Sequence, residues 1–179
     1  MIIIGYQGVG KSTIGSREKD FIDLESSSFF VDEQPQDNWY IIYCETAKQL
    51  SDDGKFVFVS AHKEVREYLK INYPDDTIVL CPDSNMEMRD IWVNKLEDRY
   101  NDTNLEKDLK ALKNAQLNYL DNTKDIIDSG FNTIIIKDAD YKPKSIIDII
   151  RIIGEDGKYL NSDNIKNKFK LNFSYWKKV

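Results

Sequence analysis

The sequence is poor in the residues that staple or metallate a small fold. Among its 179 residues are two cysteines and one histidine. Cys44 and Cys81 are well separated in apolar surroundings, with neither a C-x-x-C pair nor Cys/His ligand spacing. They read as buried free thiols, which excludes a disulfide framework and a zinc site and suits a reducing compartment. Cations are also short, with 25 Lys and Arg against 31 Asp and Glu and a net charge of -6. That balance speaks against a protein that wraps a long nucleic acid, because phosphate-backbone binding draws on surplus Lys and Arg. A small phosphorylated ligand in a local basic pocket stays compatible. Long apolar runs are missing too: the first ends after Ile4 and has no basic flank, so the N-terminus reads as neither signal peptide nor membrane span, and the expected location is the cytoplasm. No internal repeat or low-complexity segment occurs. What is present, 41% apolar and 31% charged residues, belongs to a well-solvated α/β protein of one domain, long enough to bury a core without staples.

The chemistry is concentrated at the start. Met1 to Thr13 reads MIIIGYQGVGKST, with Gly5, Gly10, Lys11 and Ser12 in the G-x-x-x-x-G-K-[ST] spacing of a P-loop, directly behind an apolar run short enough for a buried strand. Glycines let the backbone bend so that successive N–H groups converge on phosphate oxygens, and the following helix points its positive end at the same place. The expected nucleotide-binding residues are Gly5, Gln7, Gly8, Val9, Gly10, Lys11, Ser12 and Thr13. Lys11 would reach the β- and γ-phosphates, Ser12 would hold Mg²⁺, and Thr13 would pack or cap the new helix.

Further along, Phe21 to Leu24 reads as a second strand after a helix of about two turns. Asp23 and Glu25 follow at its C-terminal end, where open α/β sheets place their ligands. Either could act on Mg²⁺ or on a substrate, or both could be solvated carboxylates. Asp23 is favoured, since alternation sets it opposite Ile22 and Leu24. Trp39 to Leu50 predicts a helix and Lys55 to Ser60 a strand buried on both faces, with no aspartate closing it. Glu64 to Ile71, carrying Arg66, predicts a helix, and Thr77 to Cys81 a fourth strand. Ser84 with Glu87 has capping-box spacing, and Met88, Trp92, Leu96 and Tyr100 form an apolar stripe, predicting a helix to about Tyr100 with Arg89, Lys95 and Arg99 off the stripe. A second box, Thr103 with Glu106, predicts a long helix ending at Gly130. Phe131 to Lys137 predicts the fifth strand, and Pro143 opens a helix with Ile146, Ile149, Ile150 and Ile153 on one face. From Asn161 on, five lysines stand against one acid, interleaved with aromatics, which reads as an arm (161–179) folded back on a domain spanning 1–160.

Alternating strands and helices predict a three-layer, doubly wound parallel sheet with helices on both faces, its strand C-termini on the P-loop side. This order of pieces resembles the adenylate-kinase-like group of P-loop kinases, which includes nucleoside monophosphate, shikimate and gluconate kinases, and also small kinase-like proteins of phages of low-GC bacteria. The likeness runs over about Met1 to Ile153, in order and spacing more than identity. It implies a P-loop NTPase fold with a five-stranded parallel sheet in 2-3-1-4-5 order. Ser60-Ala61-His62-Lys63 followed by Arg66 is similar to the acceptor-facing segment of gluconate kinases. Arg99 matches the arginine that opens the family's lid, here short and acidic at about 99–108, and Asp138 to Ile150 looks like the loop beside the adenine. The aspartate-glycine pair that monophosphate kinases carry after strand three is absent.

Together these imply an ATP-dependent, Mg²⁺-requiring phosphotransferase acting on a small molecule, foremost a nucleoside monophosphate. Lys11, Asp23, Arg66 and Arg99 would be catalytic, Arg99 and Asp138 would join the P-loop in holding the nucleotide, and Ser12, Asp23 and Glu25 would serve the metal. Two alternatives stand beside it: a small-metabolite hydroxyl kinase of the gluconate or shikimate type, and a nucleotide-binding regulatory protein without efficient transfer. The expected partner is the small-molecule acceptor, with neither membrane nor nucleic acid, for a monomer or homodimer.

Overall fold

The computed structural model of the chain describes residues 1–32, 34–138, 141, 143–155 and 176–177. At its centre lies β1 (Ile2–Gly5), whose residues are all buried. Successive strand side chains point to opposite faces, so full burial of Ile2, Ile3 and Ile4 means that both faces of the sheet are covered. Each such side chain stabilises the fold by about 1.5 to 3 kcal/mol through the area it removes from water. Beside β1 lie β3 (Phe56–Ser60) and β4 (Thr77–Pro82), both parallel to it, with β2 (Phe21–Asp23) outside β3 and β5 (Asn132–Ile136) outside β4. The parallel order is therefore 2-3-1-4-5, the order that the family resemblance implies.

A short sixth strand, β6 (Trp176–Lys177), adds to the sheet antiparallel to β5, with Thr133 opposite Lys177 and Ile134 opposite Trp176. Edge strands offer unpaired backbone groups, and here the end of the basic arm takes up those of β5. The rest of the arm lies outside the described residues.

The helices are α1 (Lys11–Arg17), α2 (Trp39–Asp52), α3 (Lys63–Asn72), α4 (Met86–Thr103), α5 (Glu106–Ile127) and α6 (Pro143–Glu155), with a 3-10 turn at Ser26–Phe29. Met88, Trp92 and Leu96 of α4 are buried, as the stripe requires, and α6 buries Ile146, Ile147, Ile149, Ile150 and Ile153. Both expected capping boxes give way to other arrangements. Asn85, not Ser84, caps α4 by accepting from the Met88 N–H at 2.9 Å, while the Ser84 hydroxyl donates to the Leu120 carbonyl of α5. Thr103 opens no helix. It ends α4, the chain turns at Asn104 in the left-handed region (φ 52°), and α5 begins behind Leu105 without a side-chain cap. Tertiary contacts outweigh local cap preference at both positions, because each hydroxyl finds a partner on α5. The stretch expected as a lid is thus the tight turn of an α4–α5 hairpin. Among the described residues, no helix is long and apolar enough to cross a membrane.

Candidate functional site

The C-terminal ends of the parallel strands open into a cleft of about 740 Å³ with three walls. Its floor is the loop from Gln7 into α1. One side is the end of β2 with Asp23, Glu25 and Ser26, and the other is the α4–α5 hairpin with Lys95, Arg99, Lys107 and Asp108, closed at one end by Tyr141.

The loop's conformation follows from its glycines and its neighbours. Gly8 has φ 82°, a conformation that side chains rarely adopt, and a Cβ there would lie 3.0 Å from the Trp92 indole nitrogen. That indole donates to the Gln7 carbonyl at 2.8 Å, while the Gln7 amide donates to the Ala111 carbonyl of α5 at 3.0 Å. The loop is thereby strapped to both helices of the hairpin. Val9 is fully buried and serves the loop from below, and Gly5 lies under the Lys11 stem, where a Cβ would come within 2.8 Å of it.

The Lys11 ammonium folds back on the loop and donates to the carbonyls of Gly5 at 3.0 Å and Tyr6 at 3.4 Å. Burial pushes its pKa below the ordinary lysine value, opposed by the carboxylates of Asp23 and Glu25 and reinforced by Arg99. Next to it the Ser12 hydroxyl donates to Asp23 Oδ2 at 2.6 Å. Glu25 faces Lys107 across 3.8 Å.

At the far end Lys95 donates to the Tyr141 hydroxyl at 2.9 Å and lies 4.5 Å from the Trp92 ring centroid and 4.6 Å from that of Tyr141, two rings nearly parallel to each other. Burial lowers the Lys95 amine and pushes the Tyr141 hydroxyl up to about 12.

Of the residues singled out from sequence, the structure brings Gln7, Gly8, Gly10, Lys11, Ser12, Thr13, Asp23, Glu25 and Arg99 to the lining of this one cleft. Arg66 is not brought there. It is buried on α3, where its guanidinium pairs with Asp125 of α5 and donates to the carbonyls of Asp125 and Ala61. Ser60 and His62 also stay outside the lining and bond each other at 2.8 Å. Asp138 is exposed beyond β5, and from its loop it is Tyr141 that reaches the cleft. Lys107 and Asp108 belong to no motif in the sequence. Only the sharp turn at Asn104, which lays α5 back along α4, discloses that they line the same cleft as the Gln7–Thr13 loop.

Among the described residues no three His, Cys, Asp or Glu side chains cluster as a metal site. Mg²⁺ does not require one, since it keeps several waters and binds through one or two protein oxygens plus phosphate. A serine hydroxyl touching a carboxylate beside the loop is a donor set of that kind. No protein-family model and no curated protein sequence matches the chain.

Proposed function

We propose that this chain is an ATP-dependent phosphotransferase of the P-loop kinase type, with a P-loop NTPase fold and a nucleoside monophosphate as acceptor. The observation that carries the reading is the junction of Lys11 with the Ser12–Asp23 pair at the floor of the cleft. It supplies in one place a cation for the β- and γ-phosphates and a hydroxyl–carboxylate pair suited to Mg²⁺. When bound there, the metal would neutralise charge on the phosphate oxygens. The protein's share is positioning and electrostatics, which phosphoryl transfer chiefly needs. Backbone N–H groups of the loop from Gln7 to Ser12 hold the phosphates, Lys11 leaves its loop carbonyls for the nucleotide, and Arg99 approaches from α4. The Trp92–Tyr141 wall with Lys95 bounds the nucleoside end. Since Arg66 is engaged by Asp125, the cation for an acceptor phosphate falls to Lys107, opposite Glu25 on the β2 side.

A coupled ADP-release assay over nucleoside monophosphates, deoxynucleosides and sugar acids tests the proposal. Turnover with monophosphates supports it, turnover confined to a sugar acid would install the hydroxyl-kinase alternative, and ATP binding without turnover on any acceptor would favour the regulatory one. Asp23→Asn keeps the size of the side chain and its capacity to accept from Ser12. It is expected to raise the Mg²⁺ requirement and slow transfer by about 10²-fold, the scale for one preorganised electrostatic contact, while Mg²⁺-independent nucleotide binding stays near that of the parent. A Mg²⁺ titration of initial rate checks this, and an unchanged half-saturation would move the metal role to Glu25 or remove it.

A further inference from the structure

The least economical group in the cleft is Asp108. It lies in the first turn of α5, 1% exposed, at the back of the lining. One of its oxygens, Oδ2, accepts from the Thr103 hydroxyl at 2.5 Å. The other, Oδ1, makes an ion pair with Nη2 of Arg99 and, among the described residues, accepts no hydrogen bond. Taking a carboxylate out of water costs several kcal/mol, and a single ion pair returns that only with good geometry and full hydrogen bonding. An apolar side chain at 108 would seal the hairpin at lower cost. Favourable interaction with the helix N-terminus does not explain the burial either, since Glu106 provides a negative charge in the same turn from the surface.

What the arrangement does provide is a fixed place for Arg99. That side chain is 43% exposed and lines the cleft, and a long side chain in such a position loses considerable rotamer entropy on being held. The guanidinium has five N–H donors, so engaging one end with Asp108 leaves others to turn to an anion. Thr103 in turn fixes the carboxylate, and the turn at Asn104 brings all three together. From this geometry we infer that Asp108 is a positioning residue: with Thr103 behind it, the carboxylate holds Arg99 over the γ-phosphate end of the nucleotide subsite. The inference deepens the phosphotransferase reading and rests on it.

Calorimetric titration of ATP and ADP into the parent and into Asp108→Asn, Thr103→Val, Arg99→Ala and Arg99→Ala/Asp108→Asn separates the two. Asp108→Asn and Arg99→Ala should each lose about tenfold in ATP affinity, the scale of one charge-assisted contact, with ADP affinity nearly unchanged. Thr103→Val should lose a smaller factor with the same ATP-over-ADP signature, and the double variant should bind no worse than Arg99→Ala. A purely structural Asp108 would instead lower the melting temperature and leave the ATP-to-ADP ratio alone. If Asp108→Asn does not fold, Thr103→Val carries the test, and a parent-like ratio in that variant overturns the inference. A rise in ATP affinity on removing the carboxylate, or losses that add in the double variant, overturns it as well. A parent that binds neither nucleotide sinks the phosphotransferase reading along with it, whereas parent binding with indifferent variants sinks this inference alone.

Discussion

Lys11→Ala is expected to reduce turnover by at least about 10³-fold, beyond the cost of one lost neutral donor, because on the phosphotransferase reading it removes a full charge from the β- and γ-phosphates. The variant should nevertheless fold. In the unliganded protein the ammonium is satisfied by the carbonyls of Gly5 and Tyr6, and its burial makes it a cost to stability. Because the folded-state pKa lies below the ordinary value, the unfolded chain binds more protons between the two. Stability from this group therefore rises as pH climbs through that window and is lowest where the lysine is charged in both states. On the phosphotransferase reading nucleotide binding runs the other way: ATP would need the ammonium, so the melting-temperature increase caused by ATP should be largest at low pH and fade as pH rises through the lowered pKa. Lys11→Met should abolish this pH dependence while keeping the packing of the stem over Gly5. Lys11→Arg should fail in turnover as well, since a planar fork does not replace a point charge in a tight loop. Parent-like ATP turnover in Lys11→Ala would remove the P-loop reading altogether.

The parts of the site that are local in sequence were legible in it. Gly5, Lys11 and Ser12 are fixed by spacing, and Asp23 by a strand only a short helix away. The parallel character of the sheet followed from alternation of strands and helices with apolar runs such as Lys55 to Ser60, whereas its 2-3-1-4-5 order was implied only by the family resemblance. What was not legible depends on partners far along the chain. Arg66 has the chemistry of an acceptor-binding cation, but whether it faces the cleft is decided by Asp125, 59 residues later, which engages it outside the cleft lining. The expected caps at Ser84 and Thr103 had correct local spacing, and their hydroxyls were taken by Leu120 and Asp108 of α5 instead. A helical break at Asn104 carries little sequence signal, because Asn enters the left-handed region only occasionally. That break brings Lys107 and Asp108 to face the loop. The edge strand β6 depends likewise on residues at the far end of a long basic arm.

The other large effect is expected from Trp92, a side chain that joins the core to the Gln7–Thr13 loop. It is fully buried on α4, stacks against Tyr141, and carries Lys95 over its face. Trp92→Ala should cost about 3 to 5 kcal/mol through lost burial and the cavity left behind. For a domain of this size that is a melting-temperature loss of about 6 to 20 °C. Stability alone would not distinguish it from any core position. The indole N–H adds a second consequence, since it donates to the Gln7 carbonyl just where Gly8 turns into the loop. Trp92→Phe keeps much of the apolar volume and removes that donor, leaving a part-buried carbonyl without its partner at a cost of about 1 to 3 kcal/mol. The loop is then held to the hairpin by the Gln7 amide on Ala111. If the strap preorganises the loop for phosphate, Trp92→Phe should weaken ATP binding by more than its loss of stability predicts at a temperature where both proteins are folded, because the ligand must now order the loop itself. Urea denaturation and ATP titration on parent, Trp92→Phe and Trp92→Ala check both consequences. ATP affinity equal to the parent's in Trp92→Phe would mean that the indole bond holds the core together and contributes nothing to the readiness of the loop.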